Sequence, residues 1–372
     1  VRILVTAWRL IDFTGADLYT RDLAVALSRR GHEVVVYTPF PGQIADRIRS
    51  VAVPVVSDLR TLKFDPQIIH GQHRPALVAA LKRYPATPAI SLMHGATAAI
   101  DAPVPLSRIR RYVAVDDVCR ARLTREPRIP PERTRVILNF ADLNRFAPRS
   151  PLPASPRRAL VFSNYADRST HLPALSEACR RAGLPLDVVG GGVGRTEEEP
   201  GPLLAGYDLV FAKARCAIEA MAVGTAVVLC DFPGLGPMVT SANFSRLRRV
   251  NFGASVLTAP LNSDAIGDAI RGYDAADAAA VSARTRVEAD MEKAIDAWVG
   301  LYEEVLEEAG SAVVDSPAEA AMLDAAIRHS RTFFRREAVT GRLRRVRSLP
   351  LVGGGLYARL HRLRRALTKP AS

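Results

Sequence analysis

No stretch of this 372-residue chain approaches the 18 or more uncharged apolar residues of a membrane span; even the apolar run from Cys216 to Cys230 carries Glu219. A membrane-crossing helix is therefore not expected. The four cysteines, Cys119, Cys179, Cys216 and Cys230, lack paired metal-ligand spacing, which fits a reduced, cytoplasmic setting. Nor does the N-terminus look like a secretory leader: VRILVTAW turns polar within a few residues and reads as a first core strand. Aromatic residues make up 6%, with no recognisable nucleic-acid module. Acidic residues are scarce in one place only. From Arg328 to Ser372 thirteen Arg or Lys meet one acid, Glu337, so this tail supplies +12 of the formal charge of +13. The body is almost neutral, which argues against a basic groove for nucleic acid.

What is present is alternation. Short apolar strands and helix-like segments succeed one another from residue 1 to about 305, the rhythm of doubly wound α/β architecture. Expected strands are Arg2–Val5, Glu33–Tyr37, Gln67–His70, Ala89–Met93, Tyr112–Val115 and Arg135–Leu138, then Ala159–Ser163, Leu186–Val189, Asp208–Phe211, Ala226–Leu229 and Ser255–Leu257. Pro148, Pro151, Pro153 and Pro156 lie between the two sets and read as a linker. The expected organisation is two Rossmann-like domains, 1–148 and 157–309, with a basic helical tail over 310–372. From Arg284 to Ala309 the spacing of Ile295, Trp298, Leu301, Tyr302 and Val305 predicts one long helix.

The segment YDLVFAKARCAIEAMAVGTAVVLCD, Tyr207 to Asp231, reads as strand, tight loop, helix and strand. The first amides of a helix have no intrahelical partner and its dipole favours an anion, so a phosphate could sit there. Lys213 and Arg215 would add cationic donors, and Glu219, one turn in, could accept bonds from sugar hydroxyls; a solvated basic loop is the plain alternative. His94 follows an apolar strand, where strand ends face a cleft in open α/β sheets, and could bond a sugar hydroxyl, shuttle a proton or only hold structure. His70 and His73 invite a metal reading with it, but no carboxylate or cysteine cluster accompanies them. Gly190, Gly191, Gly192 and Gly194 either cradle phosphate or make a sharp turn. Asp116 and Asp117 either meet an acceptor or cap the helix beginning there, and Asp12 and Asp17 carry the same ambiguity.

Taken in order, these segments resemble a nucleotide-sugar glycosyltransferase of the GT-B fold, most closely the retaining family 4, or group 1, type. The resemblance runs over roughly residues 2 to 305. FTGADLYTRDLAVALSRRGHEVVVYT looks like the family's first loop and helix, with Gly15 where the backbone approaches donor and acceptor. FDPQIIHGQH and SLMHG resemble the next strands, the latter placing His94 in the interdomain cleft. Asn139, Asp142, Arg145 and Phe146 fall at the spacing of the family's Asn-Gly-Val-Asp-x-x-Arg-Phe, and IEAMAVGTAVV looks like its Leu-Glu-Ala-Met-Ala-x-Gly-x-Pro-Val-Val. The resemblance implies that Glu219 binds the donor ribose and that the loop before it, with Lys213, Arg215 and Cys216, meets the diphosphate. The implied donor site also includes Gly15, Asn164, Arg168 and Gly191; the implied catalytic set is His94, Arg215 and Glu219, with His94 and Asp117 on the acceptor side.

The sequence also departs from the pattern. Many retaining members carry a glutamate eight residues before the one matched by Glu219; here that position is Phe211. The family's Gly-Arg and Lys-Gly pair survives only as SNYADRSTH, leaving Arg168 as a diphosphate clamp, and Gly190–Tyr207 is too short for the strand that usually recognises the base. The expected function is metal-independent transfer of a sugar from a nucleotide-diphosphate donor to an envelope polysaccharide or lipid-linked glycan, with no cofactor. A nucleotide-sugar epimerase and a non-catalytic pseudoglycosyltransferase are the alternatives. In the tail, Leu356, Leu360, Leu363 and Leu367 share one helical face among arginines, after Phe333 and Phe334. Residues 328–370 could thereby lie on an anionic membrane at the inner face, or pack on the parent fold.

Overall fold

The computed structural model describes residues 1–308 and 316–347, the stretch 335–347 as backbone alone. The chain divides into two units, Val1–Asp315 and Ser316–Ser372. In the first unit, apolar runs rich in Val, Ile and Leu become parallel strands buried on both faces, as parallel sheets require. The first sheet contains β1 (Arg2–Thr6), β2 (Glu33–Tyr37), β3 (Val55–Val56), β4 (Ile68–Gln72), β5 (Ala89–Met93), β6 (Ile109–Ala114) and β7 (Thr134–Val136), in the order β3-β2-β1-β4-β5-β6-β7. All its pairings are parallel. Helices α1 (Gly15–Arg29), α2 (Gln43–Ser50), α3 (Arg74–Arg83) and α4 (Asp117–Leu123) connect it. Helix α1 starts where Thr14 caps it by accepting from the Asp17 amide, and α4 where Asp116 accepts from Cys119. Asp116 is therefore a cap.

The second sheet contains β8 (Ala159–Phe162), β9 (Leu186–Val189), β10 (Leu209–Ala212), β11 (Ala226–Asp231) and β12 (Gly234–Met238), in the order β12-β11-β10-β8-β9. Only the edge strand β12 is antiparallel. Around it pack α5 (Leu172–Arg181), α6 (Pro200–Ala205), α7 (Ala214–Val223), α8 (Phe244–Arg248) and α9 (Ser263–Arg271). Val210 and Ala212 face one core with α7, whereas Leu209 and Phe211 face another with α5 and α9. Phe211 is wholly buried there, so it is a packing residue. Between Gly190 and Tyr207 lie a single 3-10 turn and α6, with no strand among the described residues.

Two expectations are corrected. Ser255–Leu257 is not a strand: residues 254–256 form a 3-10 turn beside β12. The long helix over 284–309 is two helices, α10 (Ala275–Glu288) and α11 (Met291–Glu308). They part at Ala289 and Asp290, where the Ala141 amide donates to Ala289 O at 2.8 Å and the Met291 amide to Ala141 O at 3.0 Å. The break is tertiary in origin: the chain turns extended to pair with residue 141 and returns to the first sheet. The apolar stripe of α11 is buried there, with Trp298 Nε1 donating to Tyr19 Oη at 2.8 Å and Tyr302 Oη 2.7 Å from His70 Nδ1. Truncating Trp298, which is fully buried, would cost about 3–5 kcal/mol.

The second unit contains α12 (Pro317–Arg347), begun by a capping box in which Ser316 and Glu319 exchange hydrogen bonds. The leucine face at 356–367 lies outside the described residues.

Candidate functional site

The carboxyl ends of the second sheet's strands open on a cleft shared with α1. Phe13, Gly15, Leu18 and Arg21 line it from the first sheet's side; Arg145 and Phe146, Ser163 and Asn164 after β8, Gly190 after β9, and Arg215, Cys216 and Glu219 of α7 complete it. Helix α7 is Ala-rich, ends on Gly224 at φ +105°, and buries Arg215 and every residue from Ala217 to Val223. Its start is unusual. Lys213 is extended and makes no side-chain cap, while Ala214 stands at φ +49° with its amide given to Phe252 O at 2.8 Å. The amides of Arg215 and Cys216, in the first turn, have no intrahelical acceptor.

Arg215 and Glu219 are four residues apart, on one face of α7, and Arg215 Nε donates to Glu219 Oε1 at 2.7 Å. Across the cleft Arg215 also pairs with Asp22 of α1, which accepts from Arg21 Nε at 2.7 Å and lies 3.9 Å from Arg145. This buried network joins the two halves. Burial opposes the charge on Arg215, but Asp22 and Glu219 together outweigh it and hold its pKa above the ordinary arginine value. Burial likewise opposes ionisation of Asp22, yet Arg215 and Arg21 keep its carboxyl below the usual range. For Glu219 burial prevails over Arg215 and the pKa is raised. Asp22 is thus the principal counter-ion. Arg215 Nη1 has no hydrogen-bond partner although the side chain is only 8% exposed.

At the mouth of the cleft an acidic run spans the halves. Glu198 pairs with Arg47 of α2, Glu199 lies 3.3 Å from Arg145, and Arg145 donates to Glu198 O at 3.1 Å.

Other expected site residues lie differently. Asn164 lines the cleft, donating to Phe13 O at 2.9 Å and accepting from the Gly191 amide at 3.0 Å. That amide is spent, and the glycine run makes a sharp turn: a Cβ on Gly190 would stand 1.9 Å from Ser163 O. Arg168 is exposed and is not among the cleft's lining residues. Its loop is tied down locally by Asp167, which accepts from Ser169. Lys213 also stands outside the lining, paired with buried Asp231. Cys216 faces the cleft, its thiol pushed up to about 12 by burial, and all four cysteines are free.

His94 is not among the lining residues either. Its Nε2 lies 2.7 Å from Gln72 Oε1, with Tyr19 edge-on and His73 tilted beside it. Burial, with the nearby His73 and His70, holds its pKa well below 6.5, so the ring is neutral. Asp101 supports its loop: the carboxyl accepts from the His94 and Gly95 amides, and burial raises it to about 7. Asp117 pairs with Arg249 of the second half at 2.7 Å, a structural tie. Asp17 is buried in α1 and raised to about 7 by burial. Among the described residues no group of three or more His, Cys, Asp or Glu is placed to hold a metal, and no helix is long and apolar enough to cross a membrane.

Sequence reasoning missed Asp22, Arg21 and the Glu197–Glu199 run. An acid beside a base on an amphipathic helix reads as a solvated pair, and only the fold brings Asp22 against α7. Arg145 was visible only as part of a motif.

Residues 13–145 match the family model for Glycosyltransferase Family 4. No curated protein sequence matches the chain. Among solved structures, a glycosyltransferase from Rickettsia africae superposes with a TM-score of 0.61 at 13% identity, over 82% of this chain and 98% of that one. Anabaena Alr3699/HepE, in complex with UDP and glucose, gives 0.59 at 15% identity, over 81% and 99%. The chain thus carries the Family 4 match over residues 13–145 and, across both sheets, the GT-B fold of these glycosyltransferase structures.

Proposed function

We propose that the chain transfers a sugar from a nucleotide-diphosphate donor to a glycan or lipid-linked acceptor, holding the diphosphate at the N-terminus of α7. The observation that carries this reading is the unspent Arg215 Nη1, recessed in the cleft beside two first-turn amides and two further arginines, Arg21 and Arg145. A buried guanidinium with an unused donor is costly unless an acceptor arrives. A diphosphate supplies several. As the glycosidic bond breaks, negative charge grows on the leaving diphosphate, and fixed donors aimed at it lower the barrier. Glu219, anchored by Arg215, is our candidate for the ribose hydroxyls. UDP is the first carrier to test, because HepE has been seen with UDP and glucose.

Transfer with retention needs no strong general base, since the departing phosphate can take the acceptor's proton. We therefore assign neutral His94 a hydrogen-bonding part at the acceptor side, reached through Gln72. The excess of basic residues after Arg328 suits an anionic membrane surface bearing a lipid-linked acceptor. The test is donor hydrolysis without acceptor, following nucleotide release from UDP-, GDP-, ADP- and TDP-glucose and the anomer released by NMR. Release from one carrier, weakened in Glu219→Gln, supports the reading; none from any carrier, in the presence or absence of membranes, counts against it.

A further inference from the structure

We propose that the acidic segment 196–199 is a gate on the donor cleft, closed by carboxylates that compete with the diphosphate for its arginines. The inference rests on the donor-site reading above and adds the element that controls entry to that site.

The cleft is too small for its ligand. Its cavity measures about 70 Å³, whereas small-molecule sites run from roughly 300 Å³ upward. A wall has to move. Helix α7 is not that wall, because it is buried along most of its length and tied to α1 through Arg215 and Asp22, whose side chains are 8% and 6% exposed. The segment 196–199 differs. Thr196, Glu197 and Glu198 line the cleft between β9 and α6, with fixed points on either side. Before it, the Gly190 amide donates to Arg195 O at 2.6 Å and the Arg195 amide to Gly190 O at 3.2 Å, closing the turn after β9. After it, Gly201 of α6 packs so closely that a Cβ there would stand 2.2 Å from Arg145 O.

Within the segment, Glu197 Oε1 accepts from the Glu198 amide at 2.9 Å and from the Glu199 amide at 3.1 Å, so the run moves as a unit. Charge holds it across the mouth. Glu198 pairs with Arg47, which also lies over the Phe13 ring at 5.3 Å, and Glu199 pairs with Arg145 at 3.3 Å. The two carboxylates are 56% and 62% exposed, and exposed ion pairs exchange partners at little cost.

Arg145 is the pivot. It lines the cleft, pairs with Glu199 and donates to Glu198 O at 3.1 Å. A diphosphate oxygen that takes this guanidinium releases the segment, and its charge repels the three carboxylates. The closed form binds no donor, so apparent affinity is lowered by the fraction of molecules that are closed.

Calorimetric titration and stopped-flow binding of UDP, GDP, ADP and TDP test this on three full-length proteins. Beside wild type stand Glu198→Gln/Glu199→Gln and a control, Glu177→Gln/Asp264→Asn, which removes the same charge from exposed pairs on α5 and α9. The gate side chains are exposed, so the gate variant should melt as wild type does. It should bind the selected nucleotide about fivefold more tightly, through faster association, with the gain fading as ionic strength rises. The control should stay within about twofold of wild type. Unchanged or weaker binding by the gate variant, or an equal gain in the control, would overturn the gate while the donor site stands. If none of the three proteins binds any of the four nucleotides, the donor-site reading fails and the gate falls with it.

Discussion

Replacing Arg145 by glutamine removes a cleft cation without emptying a buried ion pair. Asp22, 3.9 Å from Arg145, keeps both Arg215 and Arg21. The other partner, Glu199, has a side chain 62% exposed, so that pair contributes at most about 1 kcal/mol to stability. The functional cost is larger. A guanidinium about 4 Å from a phosphate oxygen, at an effective dielectric of about 20, gains about 4 kcal/mol. Without donor, Arg145 is already 3.3 Å from Glu199, and giving up that partner and residual solvent offsets roughly half of the gain. About 2 kcal/mol remains, or about thirtyfold. Steady-state kinetics over a donor series should therefore give a kcat/KM about thirtyfold below wild type, shrinking as ionic strength rises, with a melting temperature lowered by no more than about 2 °C. A variant that melts normally and keeps kcat/KM within about threefold would refute the placement of the diphosphate beside Arg145.

Three further outcomes follow from the same geometry. Asp22→Asn strips buried Arg215 and Arg21 of their shared counter-ion and should cost about 3–5 kcal/mol in denaturant unfolding; a cost under about 1 kcal/mol would mean that the network does not join the halves. Asp17 has a folded pKa of about 7 against an ordinary aspartate value of 3.8, so its contribution to stability is full below pH 3.8, falls as pH rises to about 7, and stays low above. Asp17→Asn should thus become more stable than wild type by roughly 2–4 kcal/mol at pH 8 but match it near pH 4, and a gap independent of pH would contradict this. Arg168→Ala should leave donor affinity within about twofold of wild type; a tenfold loss would show that its loop closes onto the diphosphate.

Strands with mostly apolar runs, such as Glu33–Tyr37 and Ala89–Met93, were legible because parallel strands buried on both faces need such runs. β3, two residues long, and β12, with the sequence GLGPM, carry no such signal. The break between α10 and α11 was hidden because Ala289 and Asp290 are ordinary helix residues, and the competing partner, Ala141, is distant in sequence. Of the residues lining the cleft, Gly15, Asn164, Arg215, Cys216 and Glu219 came forward from the sequence; Arg168 lies outside the lining, and Arg21 and Arg145 stand within it. Lys213 was read as a phosphate donor because a basic residue before a helix invites that role. Its pairing with Asp231 depends on β10 and β11 lying side by side.

The most direct measurement is calorimetric titration of UDP, GDP, ADP and TDP into the full chain and into Glu219→Gln, which keeps the side chain's size but not its charge. One nucleotide should bind selectively, and the variant should hold it about tenfold more weakly, as expected for a lost charged hydrogen bond. Binding of equal strength in both proteins, or of none of the four in the wild type, would contradict the assignment of the α7 terminus as the donor site.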